Sequence, residues 1–355
     1  DVVQYLREAG ARLRRLTKKR APSSDEGQLL EIAGAAKWED IPHGEGEGST
    51  PLSAFCFYEL YHRQVTRLKS TYVEGLLRAM DEGGRVHTQY NQLPATGRLS
   101  SSGPNLQNQP RPESALSSPI RNAFVARPGM VLLKGDWSQI EYRLLAHYTA
   151  DPFLLDVFRR GLDIHIAAAE LLGITRQLAK TANYALIFGA DAMKVAESVG
   201  VPRDEAEAFA RLFNEKIPGI RVHREQIISQ LHDKGYVETP IGWRGYFPLY
   251  FSPLHQEAQK ALREAINCPI QGLAAELFKQ WLLEVRGILK RKGGQLVLQV
   301  HDEGVAEVEP GSEREVAKEM RTAWLDLCSW LRVPVEIDFS VGHHWGSLDK
   351  LKLEG

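Results

Sequence analysis

Net charge is nearly absent from this 355-residue chain, in which 44 Lys and Arg stand against 45 Asp and Glu and leave −1. A global field that would draw in a polyanion or a membrane surface is therefore excluded, and any surface for such a partner must be local. Cysteine is scarce as well: Cys56, Cys268 and Cys328 lie far apart, with no C-x-x-C pair. That excludes a disulfide framework or a zinc knuckle and fits a reducing, intracellular setting. No apolar run approaches the roughly 18 residues of a membrane span. The opening DVVQYLREAGARLRR lacks the apolar centre of a signal peptide, so nothing predicts targeting or membrane embedding. No internal repeat is present.

What the chain does contain is a composition suited to a folded enzyme, 43% hydrophobic and long enough for one large core or two to three small ones. Basic clusters occur at Arg12, Arg14, Arg15, Lys18, Lys19 and Arg20, and at Arg286, Lys290, Arg291 and Lys292, with an acidic stretch from Glu39 to Glu47. Each reads first as a solvated helix face. Residues 1–50 combine a helix-prone basic start with Gly, Ser, Glu and Pro (APSSDEG, HGEGEGST), as a linker would. Helical spacing over Pro51 to Met80 predicts one long helix or two stacked ones. MVLLKGD (130–136) predicts a strand that hands over to a helix, and GYVETPIGWRGYF (235–247) predicts a hairpin. A helix follows from about Pro253 to Lys290, and QLVLQVHDEGVAEVEP (295–310) reads as a strand pair joined at His301, Asp302 and Glu303. A helix over Glu313 to Leu331 and a closing strand, VPVEIDFSVG, complete an α+β pattern.

Asp136 ends the first of these strands. Taken alone it reads first as the N-cap of the helix beginning near Ser138, a position Asp favours. Asp302 changes the weighing, because a second carboxylate at a hairpin tip between buried strands is costly unless a cation sits between the two. Two aspartates holding two Mg²⁺ ions about 3.5–4 Å apart can activate a hydroxyl and neutralise a leaving pyrophosphate in one in-line displacement. Hard oxygen donors suit magnesium or manganese better than zinc.

In RQLAKTANYALIFG, Arg176, Lys180, Tyr184 and Phe188 recur every fourth residue and would form one helical stripe of two cations followed by two aromatics. An amphipathic helix with snorkelling cations explains any one of them. The order of the four suits a triphosphate lying next to a stacked base. The polar stretch HTQYNQLPATGRLSSSGPNLQNQP (87–110) is an ordinary loop or a source of donors to phosphates, sugars and base edges, through Arg98, Gln107 and Asn108.

Together these segments resemble the DNA polymerase I family (family A) over roughly residues 55–350. LKSTY (68–72) resembles its thumb signature, and TGRLSSSGPNLQNQP the palm segment that meets primer and template. DWSQIEYR (136–143) resembles motif A, RQLAKTANYALIFG (176–189) motif B and LQVHDE (298–303) motif C, while EAINCPIQGLAAEL (264–277) is similar to the helix after the fingers. The resemblance implies a right-hand α+β fold with an antiparallel palm sheet, helical fingers and a helical thumb. Its divisions would be an N-terminal helical and linker segment (1–50), thumb (51–82), first palm part (83–150), fingers (151–250) and second palm part (251–355).

By the same resemblance the activity is DNA-directed DNA synthesis on primer-template DNA from deoxynucleoside triphosphates, with two Mg²⁺ ions that Mn²⁺ can replace. Asp136 and Asp302 would hold the metals, and Glu303 and Lys180 would complete the catalytic set. Arg176, Lys180, His165, Gln139 and Tyr184 would bind the nucleotide, with Glu141 as a steric gate against a ribose 2′-OH. Arg98, Gln107, Asn108, Gln271, His301, Arg263, Asn267, Lys69 and Phe188 would contact DNA. Tyr184, where many members carry Phe, implies relaxed discrimination against dideoxynucleotides, and Phe188 replaces the usual tyrosine. The implied setting is a monomer in the cytoplasm of a bacterium or phage-infected host. About fifty residues ahead of the thumb are too few for a proofreading exonuclease domain, which would need on the order of 100 to 200, so no such activity is expected in this chain. A metal-dependent nuclease or phosphatase, or a catalytically silent DNA-binding relative, are the alternatives. The first leaves the stripe from Arg176 to Phe188 without purpose, and the second would have lost an aspartate.

Overall fold

A computed structural model of the chain describes residues 2–15, 17, 23–35, 37–42, 48–92, 94, 96–112, 116–176, 179–180 and 202–353. The chain divides into two compact units, Asp1–His87 with Gln109–Arg121, and Thr88–Asn108 with Asn122–Gly355.

The first unit is helical. Asp25 caps α2 (Glu26–Ala33) by accepting from Gln28 N at 2.9 Å, and α1 (Val2–Glu8) precedes it. Thr50 and Ser53 form a reciprocal capping box ahead of Pro51, which starts α3 (Pro51–Arg67). The helix widens to π winding over Leu68–Val73, the LKSTY segment, and continues as α4 (Glu74–Ala79), so the expected long helix is present with an irregular turn inside it. Leu6, Leu29, Ile41, Cys56, Phe57 and Leu60 are buried together as this unit's core. Residues 26–41, read from sequence as linker, are thus partly core. The Ser- and Gly-rich flanks hid the short amphipathic run EGQLLEIA between them. α5 (Ser118–Asn122) ends the unit.

The second unit is built on an antiparallel sheet in the order β6-β7-β3-β8-β9, with β3 Val131–Trp137, β6 Gln295–Val300, β7 Glu303–Val308, β8 Ile337–Gly342 and β9 Asp349–Leu351. A ribbon of β1 (Gln89–Asn91) and β2 (Ser100–Ser102) precedes it, and β4 (Tyr236–Glu238) pairs with β5 (Arg244–Tyr246) as the expected hairpin. The described helices are α6 (Ile140–Thr149), α7 (Pro152–Arg159), α8 (Ile164–Leu172), α9 (Arg203–Lys216), α10 (Pro218–Lys234), α11 (His255–Arg291) and α12 (Glu313–Leu327).

Alternation along β3 sorts its residues. Leu133 and Trp137 are buried, whereas Lys134 and Asp136 are partly exposed. Trp137 stacks on Trp324 of α12 at 3.6 Å and meets Trp281 of α11 edge-on at 5.7 Å. Gly135 and Gly304 are opposite one another in the sheet, and a Cβ on either would lie 3.1–3.2 Å from the Trp281 ring. Both glycines therefore let α11 lie close against the strands that carry the carboxylates. Trp281 is itself fixed by donating Nε1–H to Met320 O at 3.0 Å. Among the described residues no helix is long and apolar enough to cross a membrane.

Candidate active site

β3 and β7 pair with Asp136 opposite Glu303, and a two-residue turn, His301-Asp302, joins β6 to β7. Trp137 N donates to Asp302 O at 3.2 Å, which ties that turn to the end of β3. Asp136 is not a helix cap. α6 starts at Ile140 behind Gln139, which adopts a left-handed φ of 52° and makes no side-chain cap bond. The capping reading fails because the strand runs through Asp136 and a turn separates it from the helix. His301 is also left-handed, at φ 53°. Such conformations cost a non-glycine residue roughly 1–3 kcal/mol and persist only where the surroundings impose them. Here Gln299 Nε2 donates to His301 O at 2.7 Å and holds the turn.

The acid groups feel one another. Asp302 is pushed up from 3.8 to about 6, first by burial and then by the negative charges of Asp136 and Glu141, with Arg98 opposing. Glu303 is buried, accepting from Trp345 Nε1 at 2.6 Å. Lys134 Nζ lies 3.3 Å from Asp136 Oδ2 and 3.5 Å from Glu303 Oε2 and links the two carboxylates. Glu141, in the first turn of α6, accepts from Arg98 Nη2. Arg98, Gln139, Glu141, Lys279, Gln299, His301 and Asp302 line one cleft of about 220 Å³, floored by Trp137 and Phe278.

Each of the other sequence-chosen residues has its own surroundings. Gln107 Nε2 donates to Gln299 Oε1 at 2.7 Å and to Leu99 O at 3.1 Å. Asn108 is exposed and bonds through its N–H to Asn105 Oδ1 at 3.2 Å. Arg263, Asn267 and Gln271 recur every fourth residue of α11, all half-buried, and the same ridge continues to Ala275 and Lys279 in the cleft. His165 is buried edge-on against Tyr142 at 5.2 Å, its pKa lowered by burial. Asp163 caps α8 through His165 N at 2.7 Å and accepts from Arg176 Nη2 at 2.7 Å; Lys180 is exposed. Lys69 belongs to the first unit, exposed, 3.8 Å from Glu74. Tyr184 and Phe188 lie outside the described residues. Two cations of the second basic cluster are engaged locally, Arg291 with Glu319 at 3.1 Å and Lys292 with Glu315 at 2.6 Å.

Sequence reasoning missed Lys134, Gln299 and Tyr90. Tyr90 Oη donates to Gln299 O and accepts from Gln299 N, both at 2.9 Å, and so clamps the strand before the His301-Asp302 turn. Lys134 and Gln299 each carried one signal, a polar residue two positions before an aspartate or histidine inside an otherwise apolar strand.

Among the described residues no three His, Cys, Asp or Glu side chains form a ready metal-ligating cluster. Asp136 and Asp302 offer hard oxygen donors, and the Asp302 carboxyl, raised first by burial and then by the charge of Asp136, is one whose ionised form a bound cation would favour. The pair therefore fits a hard divalent ion.

Fold and site together define an α+β protein whose antiparallel sheet presents a carboxylate pair at adjoining strand ends. The family model for DNA polymerase family A matches residues 55–347, and the chain belongs to that family. It is 41% identical over 297 residues to the thermostable DNA polymerase I of Thermus filiformis, covering 81% of this chain and 35% of that protein. To DNA polymerase I of Pseudomonas aeruginosa it is 40% identical over 299 residues, covering 81% and 32%. The solved POL domain of Pol1 from M. smegmatis, in complex with DNA primer-template and dNTP, superposes with a TM-score of 0.83 at 32% identity, over 94% of this chain and 57% of that one. The chain thus spans about a third of the length of these curated relatives.

Proposed function

We propose that this chain carries out template-directed DNA synthesis: the primer 3′-oxygen attacks the α-phosphorus of a deoxynucleoside triphosphate, a P–O bond forms, and the bond to pyrophosphate breaks. The observation that carries this reading is that Asp136 stands near the end of β3, opposite Glu303 and tied through Trp137 N to the His301-Asp302 turn, while Asp302 lines a cleft with Arg98 and Glu141. Family A polymerases work with divalent metal ions. In this chain Asp136 and Asp302 would hold two Mg²⁺, replaceable by Mn²⁺, which supply charge neutralisation and an activated hydroxyl.

The protein's own groups do the rest. Glu303, fixed by Trp345 and Lys134, orients the end of β7 next to Asp136. Glu141 fills the space of a ribose 2′-OH and at the same time holds the Arg98 guanidinium over the cleft. Arg98, Gln271 and His301 then meet minor-groove acceptors of the primer terminus, which correct base pairs share. Gln107, Asn108, Arg263, Asn267, Phe188 and Lys69 would follow the duplex. Arg176, Lys180, His165, Gln139 and Tyr184 would receive the triphosphate and base, with Lys180 nearest the leaving group. For Arg176 this requires exchange of the Asp163 carboxylate for phosphate.

The subdomain assignment is thumb 51–82, palm 83–150 and 251–355, and fingers 151–250, with residues 1–50 leading into the thumb. The protein would act as a monomer in the cytoplasm, the setting implied by its bacterial relatives, and bind DNA with an affinity that falls as salt rises. The test is single-nucleotide addition to one primer on four templates that differ only in the next base. Addition of only the complementary deoxynucleotide in each case supports the proposal. Untemplated addition, or shortening of the primer, refutes it in favour of a transferase or a nuclease.

A further inference from the structure

We propose that Trp243 is a positioning residue for primer-terminus recognition, a wedge that fixes Arg98 and Gln271 relative to the cleft. The inference rests on the reading of those two residues as minor-groove contacts. Trp243 sits at the turn of the β4–β5 hairpin, where its N–H donates to Thr239 Oγ1 at 3.1 Å and its carbonyl accepts from Thr239 N at 2.9 Å. These bonds set the direction in which the indole leaves the hairpin. The ring packs on the buried cluster of Ile227, Leu231, Val237, Phe247 and the first half of α11.

From there the indole reaches two bare stretches of backbone. A Cβ on Gly272 would stand 2.6 Å from Cε3 and 2.7 Å from Cζ3, and a Cβ on Gly97 3.2 Å from Cε2 and 3.3 Å from Cζ2 and Nε1. Opposite edges of the benzo ring therefore lie against Gly97 and Gly272; a side chain at Gly272 would force the indole to shift, and one at Gly97 would ask it to give by a few tenths of an ångström. Gly97 has a second constraint, a left-handed φ of 73°. The immediate chain neighbours of these glycines are Arg98, which lines the cleft with His301 and Asp302, and Gln271 on the DNA-facing ridge of α11. One ring thus spaces the loop bearing Arg98 from the helix bearing Gln271. A displacement of an ångström at a positioned group can cost about a hundredfold in rate, so removal of this spacer is felt at the primer terminus although Trp243 itself contacts no substrate.

The test measures single-turnover incorporation by the full chain on two primers, one ending in guanine and one in 3-deazaguanine, which lacks the minor-groove N3 acceptor. Wild type should be slowed tenfold or more by the deaza terminus. Arg98→Ala should lose that sensitivity, and Trp243→Ala should lose it too, whereas Trp243→Phe should retain most of it. Gly272→Ala provides a second perturbation that displaces the ring without deleting it and improves helix propensity; it should behave like Trp243→Ala. If Trp243→Ala and Gly272→Ala slow both primers equally and stay sensitive while Arg98→Ala is insensitive, Trp243 only supports the fold and the proposal is overturned. If Arg98→Ala stays sensitive, the reading of Arg98 fails and takes the proposal with it.

Discussion

Replacing Asp302 by Asn removes a negative charge that burial and the nearby Asp136 both disfavour. In the metal-free protein this carboxyl titrates at about 6, against 3.8 for the ordinary group. A folded-state pKa above the unfolded one means that folding binds the proton. The stabilisation is complete below pH 3.8 and is lost as pH rises through about 6. A shift of roughly two units corresponds to a ceiling of about 3 kcal/mol. Asn mimics the protonated acid at every pH, so Asp302→Asn should be more stable than wild type by up to about 3 kcal/mol at pH 8 and by about half of that at pH 5. Urea unfolding in EDTA, followed by tryptophan fluorescence, measures this directly, because Trp137, Trp281 and Trp324 all lie in the core beneath the site. Added Mg²⁺ should then stabilise wild type more than the variant. A variant equal to or weaker than wild type at pH 8, or a difference that does not change between pH 5 and pH 8, would refute the reasoning.

Three further outcomes are expected. Lys134→Met leaves the buried Glu303 with Trp345 but without its ammonium partner, and should cost on the order of 1–3 kcal/mol in the same unfolding assay. Gln299→Ala removes one of the two bonds of the Gln107 amide and frees the left-handed His301 turn, so kcat should fall about tenfold or more with little change in DNA affinity, measured by single-turnover kinetics beside a binding titration. Glu141→Ala opens the space kept from a 2′-OH and releases Arg98, so ribonucleotide incorporation should rise relative to deoxynucleotide while the deoxynucleotide rate falls; competition between the two triphosphates reads both.

The strands and helices around the site were legible because their patterns are local. The apolar run ending at Asp136, the paired runs around Asp302 and the hairpin at 235–247 each declare themselves within a short continuous stretch of sequence. The capping alternative for Asp136 could not be settled from sequence, because the turn at Gln139 depends on a left-handed backbone that no propensity announces in a glutamine. Contacts between distant segments were out of reach altogether. Gln299 matters through Gln107 and Tyr90, and Trp243 through Gly97 and Gly272, partners that only the folded chain brings together. Strand alternation places Lys134 on the face of Asp136, but its contact with Glu303 depends on the pairing of β3 with β7. The edge-on contact of His165 with Tyr142 likewise joins two helices, α8 and α6, and no local pattern announces it.

The central claim is that Asp136 and Asp302 together form the catalytic centre, and its most direct test is single-turnover nucleotide incorporation by Asp136→Asn and Asp302→Asn beside DNA binding by the same proteins. The account predicts that each variant binds primer-template as wild type does and loses incorporation by at least about a thousandfold, with no further loss when the two are combined. Incorporation that survives either substitution with only a modest reduction would contradict it.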